Sequence, residues 1–196
     1  MNEEIYKSES YMNTLRKESQ KVHFASNFEF LKSHNGWRPG KIHFLIAPAS
    51  AGKSTLLRTI ILDLLVKNPN KKPMIYLSEE TQEDFWTEIA FSSINAGVIK
   101  PLHVISEQLQ DQKEISQVFN RLEWHINEHR PDILLVDNIT TMQSYGKSLQ
   151  NQATAVENFK TLAQKHRIPV FILAHTGAQI KESYQGIIDI GDLRGS

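Results

Sequence analysis

The chain has 196 residues, 22 lysines and arginines balanced by 22 aspartates and glutamates, 40% apolar residues and no cysteine. This length is enough for one domain with a buried core, and the absence of cysteine excludes a disulfide scaffold and thiolate metal sites. No apolar run approaches the roughly 18 residues that span a bilayer. The chain starts with the acidic segment Met1-Asn2-Glu3-Glu4, which does not resemble a signal peptide. We therefore expect a cytoplasmic protein without membrane contact.

Residues 1–24 are polar, with isolated apolar positions. Ile5, Met12, Leu15 and Val22 fall on a spacing that one stripe of a helix can carry. Two interpretations stay open for this segment: a solvated N-terminal arm, or a short linker helix that docks on a partner.

Residues 25–196 form the predicted domain, in which short apolar strands alternate with helices. Strands are predicted at residues 42–47, 73–78, 102–105, 132–137 and 168–174, and helices at 53–67, 81 to about 97, 113–129 and 151–166. Thr81 and Asp84 have the spacing of a helix N-terminal capping box. This alternation predicts an α/β fold with a mostly parallel central sheet and helices on both faces.

A phosphate-binding loop separates the first strand from the first helix. Its motif is G-x-x-x-x-G-K-[ST], with Ala47 in place of the first glycine. Backbone N–H groups of such a loop attract anionic oxygen, the lysine reaches the β- and γ-phosphates, and the hydroxyl after it binds Mg²⁺. We therefore predict binding of ATP, or another NTP, with Mg²⁺ by Pro48, Ala49, Ser50, Ala51, Gly52, Lys53, Ser54 and Thr55.

Polar residues at the ends of later strands complete the predicted site. Asp137 ends an apolar strand and is expected on the Mg²⁺ side together with Ser54. Because Asn138 is not an acid, the base that activates water must lie elsewhere, and Glu79 or Glu80 at the end of the second strand are candidates. The alternative for that acidic pair is a solvated turn, and His175 could either contact the γ-phosphate or only pack.

The segment His125-Ile126-Asn127-Glu128-His129 matches the H-x-x-E-H pattern of some zinc peptidases. The two histidines share a helix face. However, the helix leads directly into strand 132–137, so its end lies at the amino edge of the sheet, away from the phosphate loop. Histidines also suit a helix C-terminus electrostatically, and no zinc site is predicted.

Together these motifs resemble the RecA-like P-loop ATPases, specifically the ring-forming replicative helicases of the DnaB and phage helicase–primase type. The resemblance covers about residues 25–196 and rests on an ordered set of motifs. These are Gly36-Trp37-Arg38-Pro39-Gly40, the loop beginning at Ala47, Ser78-Glu79-Glu80-Thr81, Asp137, Ala174-His175 and Asp192-Leu193-Arg194-Gly195-Ser196.

The resemblance implies a hexameric ring that hydrolyses ATP between subunits and translocates on single-stranded DNA during DNA replication, with a primase or loader as a further partner. It implies that Glu79 is the catalytic base and that His175 senses the γ-phosphate. The loop after His175 would face DNA, with Lys181 as its cation. Lys147, in the loop after Asp137, is the weaker candidate and is expected to be an ordinary surface lysine.

The sequence also departs from that family. Its members continue past the D-L-R-G-S segment into strands that carry an arginine for the neighbour's γ-phosphate, so the resemblance implies that this chain is incomplete at its C-terminus and hydrolyses ATP weakly alone. Two other functions stay open. One is a RecA-like or KaiC-like ATPase that acts in recombination or as a switch without unwinding, and the other is a nonhydrolysing assembly module.

Overall fold

The structure is a computed structural model that describes residues 24–29, 37–91, 102–106, 115–142 and 149–175. Within these ranges the strands and helices alternate along the chain, as the sequence predicts. They are β1 (Ile42–Ala47), α1 (Lys53–Lys67), β2 (Pro73–Leu77), α2 (Gln82–Phe91), β3 (His103–Ser106), α3 (Ile115–His129), β4 (Ile133–Asp137), α4 (Leu149–His166) and β5 (Val170–His175). The boundaries agree with the predicted ones to within two residues, except at the end of α2, where the prediction extends to about residue 97 and residues 92–101 lie outside the described ranges.

The strands form one parallel sheet in the order β1-β5-β4-β2-β3. This confirms the predicted α/β fold with a parallel central sheet. Because all strands run the same way, their carboxyl ends meet at one edge. In the register of that edge Ala47 is opposite His175, and Leu77 is opposite Asp137.

Apolar side chains cover both faces of the sheet. In β4, Leu134 and Val136 belong to the layer that packs against α3 and α4, while Ile133 and Leu135 belong to the layer that packs against α1 and α2. Successive residues of a strand point to opposite faces, so a strand covered on both sides must be apolar throughout. This explains why the central strands are uninterrupted apolar runs.

β1 is more exposed than the sequence predicts. The apolar run suggests a fully buried strand, yet all six residues of β1 are only partly buried. The reason is its position, since β1 lies at the edge of the sheet among the described strands and pairs there with β5 alone. Strand order, which apolar content does not encode, decides this exposure.

The turn before β1 is anchored to the start of β5. Trp37 is fully buried, and the centroid of its ring lies 4.6 Å from that of the Phe171 ring. Gly40 has a left-handed φ of 74° and donates its N–H to the carbonyl of Ile168 at 3.1 Å. The described residues 37–40 thus form a turn that brings β1 beside β5.

Segment 24–29 lies against α1. Phe24 is buried, and Asp63 of α1 accepts hydrogen bonds from the Ser26 hydroxyl at 2.7 Å and the Asn27 N–H at 2.8 Å.

Three predicted features lie outside the described residues. They are residues 1–23 of the N-terminal arm, the loop with Lys147, and the C-terminal segment with Lys181 and the D-L-R-G-S motif. Among the helices that the structure describes, none is long and apolar enough to cross a membrane.

Candidate active site

The loop between β1 and α1 has the backbone of an anion site. Ser50 and Gly52 have left-handed φ angles of 61° and 80°. A Cβ on Gly52 would meet no described atom within 4 Å, so the φ angle rather than crowding favours glycine there. No side chain of the described residues caps the N-terminus of α1. Its first N–H groups and the helix dipole are therefore free to bind phosphate oxygens.

Lys53 lies inside this loop. It is 6% exposed, and its Nζ donates to the carbonyls of Ala47 at 3.1 Å and Pro48 at 2.7 Å. Burial lowers the pKa of Lys53, and the negative charges of Glu79 and Asp137 oppose that shift. The ammonium group is thus held by weak carbonyl acceptors, which phosphate oxygens can replace with stronger charge-assisted hydrogen bonds.

Asp137 and Ser54, the two predicted metal ligands, are hydrogen-bonded to each other. Asp137 is 5% exposed, and burial raises its pKa. A hydrogen bond from Ser54 lowers the pKa again, while the charge of Glu79 raises it. Its Oδ1 is buried without a hydrogen-bond partner among the described residues.

An unpartnered carboxylate oxygen beside a hydroxyl fits a hydrated Mg²⁺, which prefers oxygen ligands and keeps several waters. Ser54 and Asp137 would hold such an ion. When bound with nucleotide, Mg²⁺ would supply positive charge to the phosphates.

Glu79, Asn138 and His175 converge at the same edge. The Asn138 Nδ2 lies 2.7 Å from Glu79 Oε1 and 2.8 Å from His175 Nε2, and the last two atoms are 3.2 Å apart. The convergence follows from strand order, because β4 lies between β2 and β5. Asn138, which follows the last residue of β4, therefore lies between Glu79 and the end of β5.

The amide of Asn138 has a defined orientation. Its Oδ1 accepts hydrogen bonds from the Thr140 hydroxyl at 2.6 Å and the Thr141 N–H at 3.0 Å. Since Oδ1 is occupied by these donors, Nδ2 must face Glu79 and His175. Asn138 is 1% exposed, and its backbone is tied to β2 through the Ser78 hydroxyl. The side chain is therefore a rigid donor to the site.

His175 can make only one of its two short Nε2 contacts as a hydrogen bond at a time. Nε2 must carry a lone pair to accept from Asn138, but it must carry a hydrogen to donate to Glu79. Its Nδ1 is buried without a hydrogen-bond partner among the described residues. Which of the two contacts is a hydrogen bond therefore depends on whether Nε2 carries the ring hydrogen.

Glu80 is separated from this group. Its carboxylate pairs with the Arg58 guanidinium of α1, which also binds Glu88 of α2. Burial raises the pKa of Glu80, while the charge of Arg58 lowers it. The two adjacent acids thus differ in environment: Glu80 is paired with Arg58 of α1, whereas Glu79, whose side chain is 41% exposed, stays accessible to water.

The structure brings Lys53, Ser54, Asp137, Glu79 and His175 together at the carboxyl edge of the sheet. Sequence reasoning missed Asn138, which it treated only as the absence of an acid. Its position between Asp137 and two threonines was the available signal, but its role depends on which strands are neighbours.

A profile of the AAA domain family matches residues 32–179, about three quarters of the chain. The protein belongs to this family. Its members are P-loop ATPases and include RecA-like and helicase-type proteins. The matched residues include the phosphate loop, Glu79, Asp137 and His175, and the family agrees with the parallel sheet. No curated protein matches the chain.

Proposed function

We propose that the chain is the ATPase motor domain of a ring-forming DNA helicase, with Glu79 as the base that activates water. The observation that carries the proposal is the convergence of Glu79, Asn138 and His175 at the sheet edge where the phosphate loop begins. A loop alone would support only nucleotide binding. An accessible carboxylate beside it adds the means to hydrolyse the nucleotide.

The chemistry follows from the roles of these groups. Lys53 would exchange the carbonyls of Ala47 and Pro48 for β- and γ-phosphate oxygens. Glu79 would take a proton from a water molecule as the water oxygen bonds to the γ-phosphorus, and the bond from that phosphorus to the leaving oxygen of ADP breaks. Asn138 would hold the Glu79 carboxylate in one orientation, which avoids reorganisation during the reaction.

His175 is proposed as the group that reports the γ-phosphate. Its alternative contacts with Asn138 and Glu79 are a local two-state element. The segment that follows His175 contains Lys181, which is the proposed contact to single-stranded DNA. In a ring of six subunits, one cation per subunit would be repeated around the channel and reinforce binding.

The base assignment is tested with a matched pair of substitutions, Glu79→Gln and Glu80→Gln. Both remove one negative charge from neighbouring positions. Glu79→Gln should lower the steady-state ATPase rate by about 10²- to 10⁴-fold, because general base catalysis is worth that much, while nucleotide affinity stays within a few fold. Glu80→Gln should retain turnover. Loss of turnover only in Glu80→Gln would refute the assignment.

The motor function is tested by measuring the same rate with and without single-stranded DNA. We expect stimulation by DNA, a reduced stimulation in Lys181→Ala, and no change in the control Lys147→Ala. Sedimentation with and without ATP measures ring assembly. ATP turnover that does not respond to DNA would favour the alternative, a RecA-like or KaiC-like ATPase that acts without unwinding.

A further inference from the structure

Three histidines meet at the opposite edge of the sheet. His103 begins β3, and His125 and His129 lie one helical turn apart near the end of α3. Their ligand nitrogens all lie within 4.8 Å of one another. His103 pairs with Met74 at the start of β2, so the group sits at the amino ends of the strands, away from the phosphate loop.

The rings are already in contact. His103 Nε2 lies 3.3 Å from His125 Nδ1, and the His103 and His129 rings stack with centroids 3.7 Å apart. A tetrahedral zinc ion with Zn–N distances of about 2.0–2.1 Å needs nitrogens roughly 3.3 Å apart. One pair meets this spacing, and the third nitrogen must move by about 1.5 Å or less. His129 is exposed, so its ring can rotate out of the stack without disturbing the core.

The His103 and His125 rings are partly buried, and neutral imidazole is the form that binds metal. Burial lowers the pKa of His103 to about 4, and the charges that His129 and His125 would carry add to the shift. Burial also lowers the pKa of His125, assisted by the positive charge of Arg121. The positive charge of Arg121 opposes a bound cation.

We propose that His103, His125 and His129 bind one divalent transition metal ion of the zinc class, with the fourth position open to water. Three imidazoles without a carboxylate suit Zn²⁺ and its neighbours in the first transition row, and they do not suit Mg²⁺ or Ca²⁺. The ion would link the end of α3 to strand β3 through its histidine ligands. This inference does not rest on the proposed ATPase function, because no residue is shared between the two sites.

The structure adds a third histidine to the two of the H-x-x-E-H segment. The sequence argument correctly places His125 and His129 away from the phosphate loop, but it provides no third ligand. His103 stands 22 residues before His125 and joins the pair only because β3 lies beside α3 in the fold. The pattern is thus a two-ligand segment of a three-histidine group, and Glu128 is not one of the three.

The test is zinc binding by the whole chain after removal of metal with a chelator. Excess Mg²⁺ is present throughout to occupy oxygen sites at the phosphate loop. Competition with a chromophoric chelator should give one Zn²⁺ per chain and a higher melting temperature. Co²⁺ used as a probe should give the intense visible bands of a four-coordinate ion.

An exposed neighbour of the histidines, Glu128, and a residue of the phosphate loop, Ser54, supply the control substitutions. His129→Ala should weaken Zn²⁺ binding by at least about tenfold, since even outer-shell groups contribute 10- to 100-fold to affinity. Glu128→Gln and Ser54→Ala should bind as the wild type does. The proposal is overturned if no stoichiometric binding occurs, if His129→Ala binds zinc normally, or if either control weakens binding as much as His129→Ala does.

Discussion

Asn138 offers the sharpest test of the candidate active site, through the substitution Asn138→Asp. The change keeps the shape and the Oδ1 acceptor but replaces the donor that faces Glu79 at 2.7 Å with a second carboxylate oxygen. Two unit charges about 4 Å apart repel by about 4 kcal/mol at an effective dielectric constant of 20. The lost hydrogen bond to a charged group adds about 1.5–3 kcal/mol.

The folded variant can avoid this repulsion by taking up one proton. At pH 5.5, protonating an aspartate with an ordinary pKa near 3.9 costs about 2.2 kcal/mol, which is less than the repulsion. At pH 8 the same step costs about 5.6 kcal/mol, which is more than the repulsion. Between these two pH values the cost of protonation becomes equal to the repulsion. Below that pH the folded variant binds more protons than the unfolded chain, so its stability falls as pH rises.

The assay is urea unfolding of wild type and variant at both pH values. We expect Asn138→Asp to lose about 2 kcal/mol at pH 5.5 and at least about 4 kcal/mol at pH 8. Asn70→Asp, at an exposed loop position, is the control and should change stability by less than about 0.5 kcal/mol at either pH. An equal loss at both pH values, or a loss below about 1 kcal/mol at both, would refute the account of this contact.

Further predictions concern three other positions. Asp137→Asn should raise the melting temperature of the nucleotide-free chain at pH 7, because burial raises the pKa of Asp137 and its ionised form therefore lowers stability. The gain in melting temperature should vanish below about pH 4, where the carboxyl is protonated in the folded and the unfolded chain. The same substitution should lower the Mg²⁺-dependent affinity for nucleotide. Trp37→Ala should cost about 3–5 kcal/mol in urea unfolding, whereas Trp37→Phe should cost less than half as much, because the indole N–H has no partner among the described residues to lose. Gly52→Ala should cost about 1–2 kcal/mol from its left-handed backbone, and a loss below about 0.5 kcal/mol would contradict that reasoning.

The amino-acid sequence determined the elements and the phosphate loop. Apolar runs and helical periodicity are local signals, and they located every strand and helix that the structure describes to within a few residues. The loop from Ala47 to Thr55 was also readable, because its chemistry depends on contiguous residues between a strand and a helix. Parallel strands covered on both faces followed from the same alternation.

Only the tertiary structure decided which strand ends are neighbours. The order β1-β5-β4-β2-β3 makes β1 an edge strand and places Asn138 between Glu79 and His175. Tertiary contacts also distinguish Glu79 from Glu80, since Glu80 pairs with Arg58 whereas Glu79 contacts Asn138 and His175. The same packing adds His103 to the pair on α3. These relations join residues far apart in the chain, and local periodicity carries no information about them.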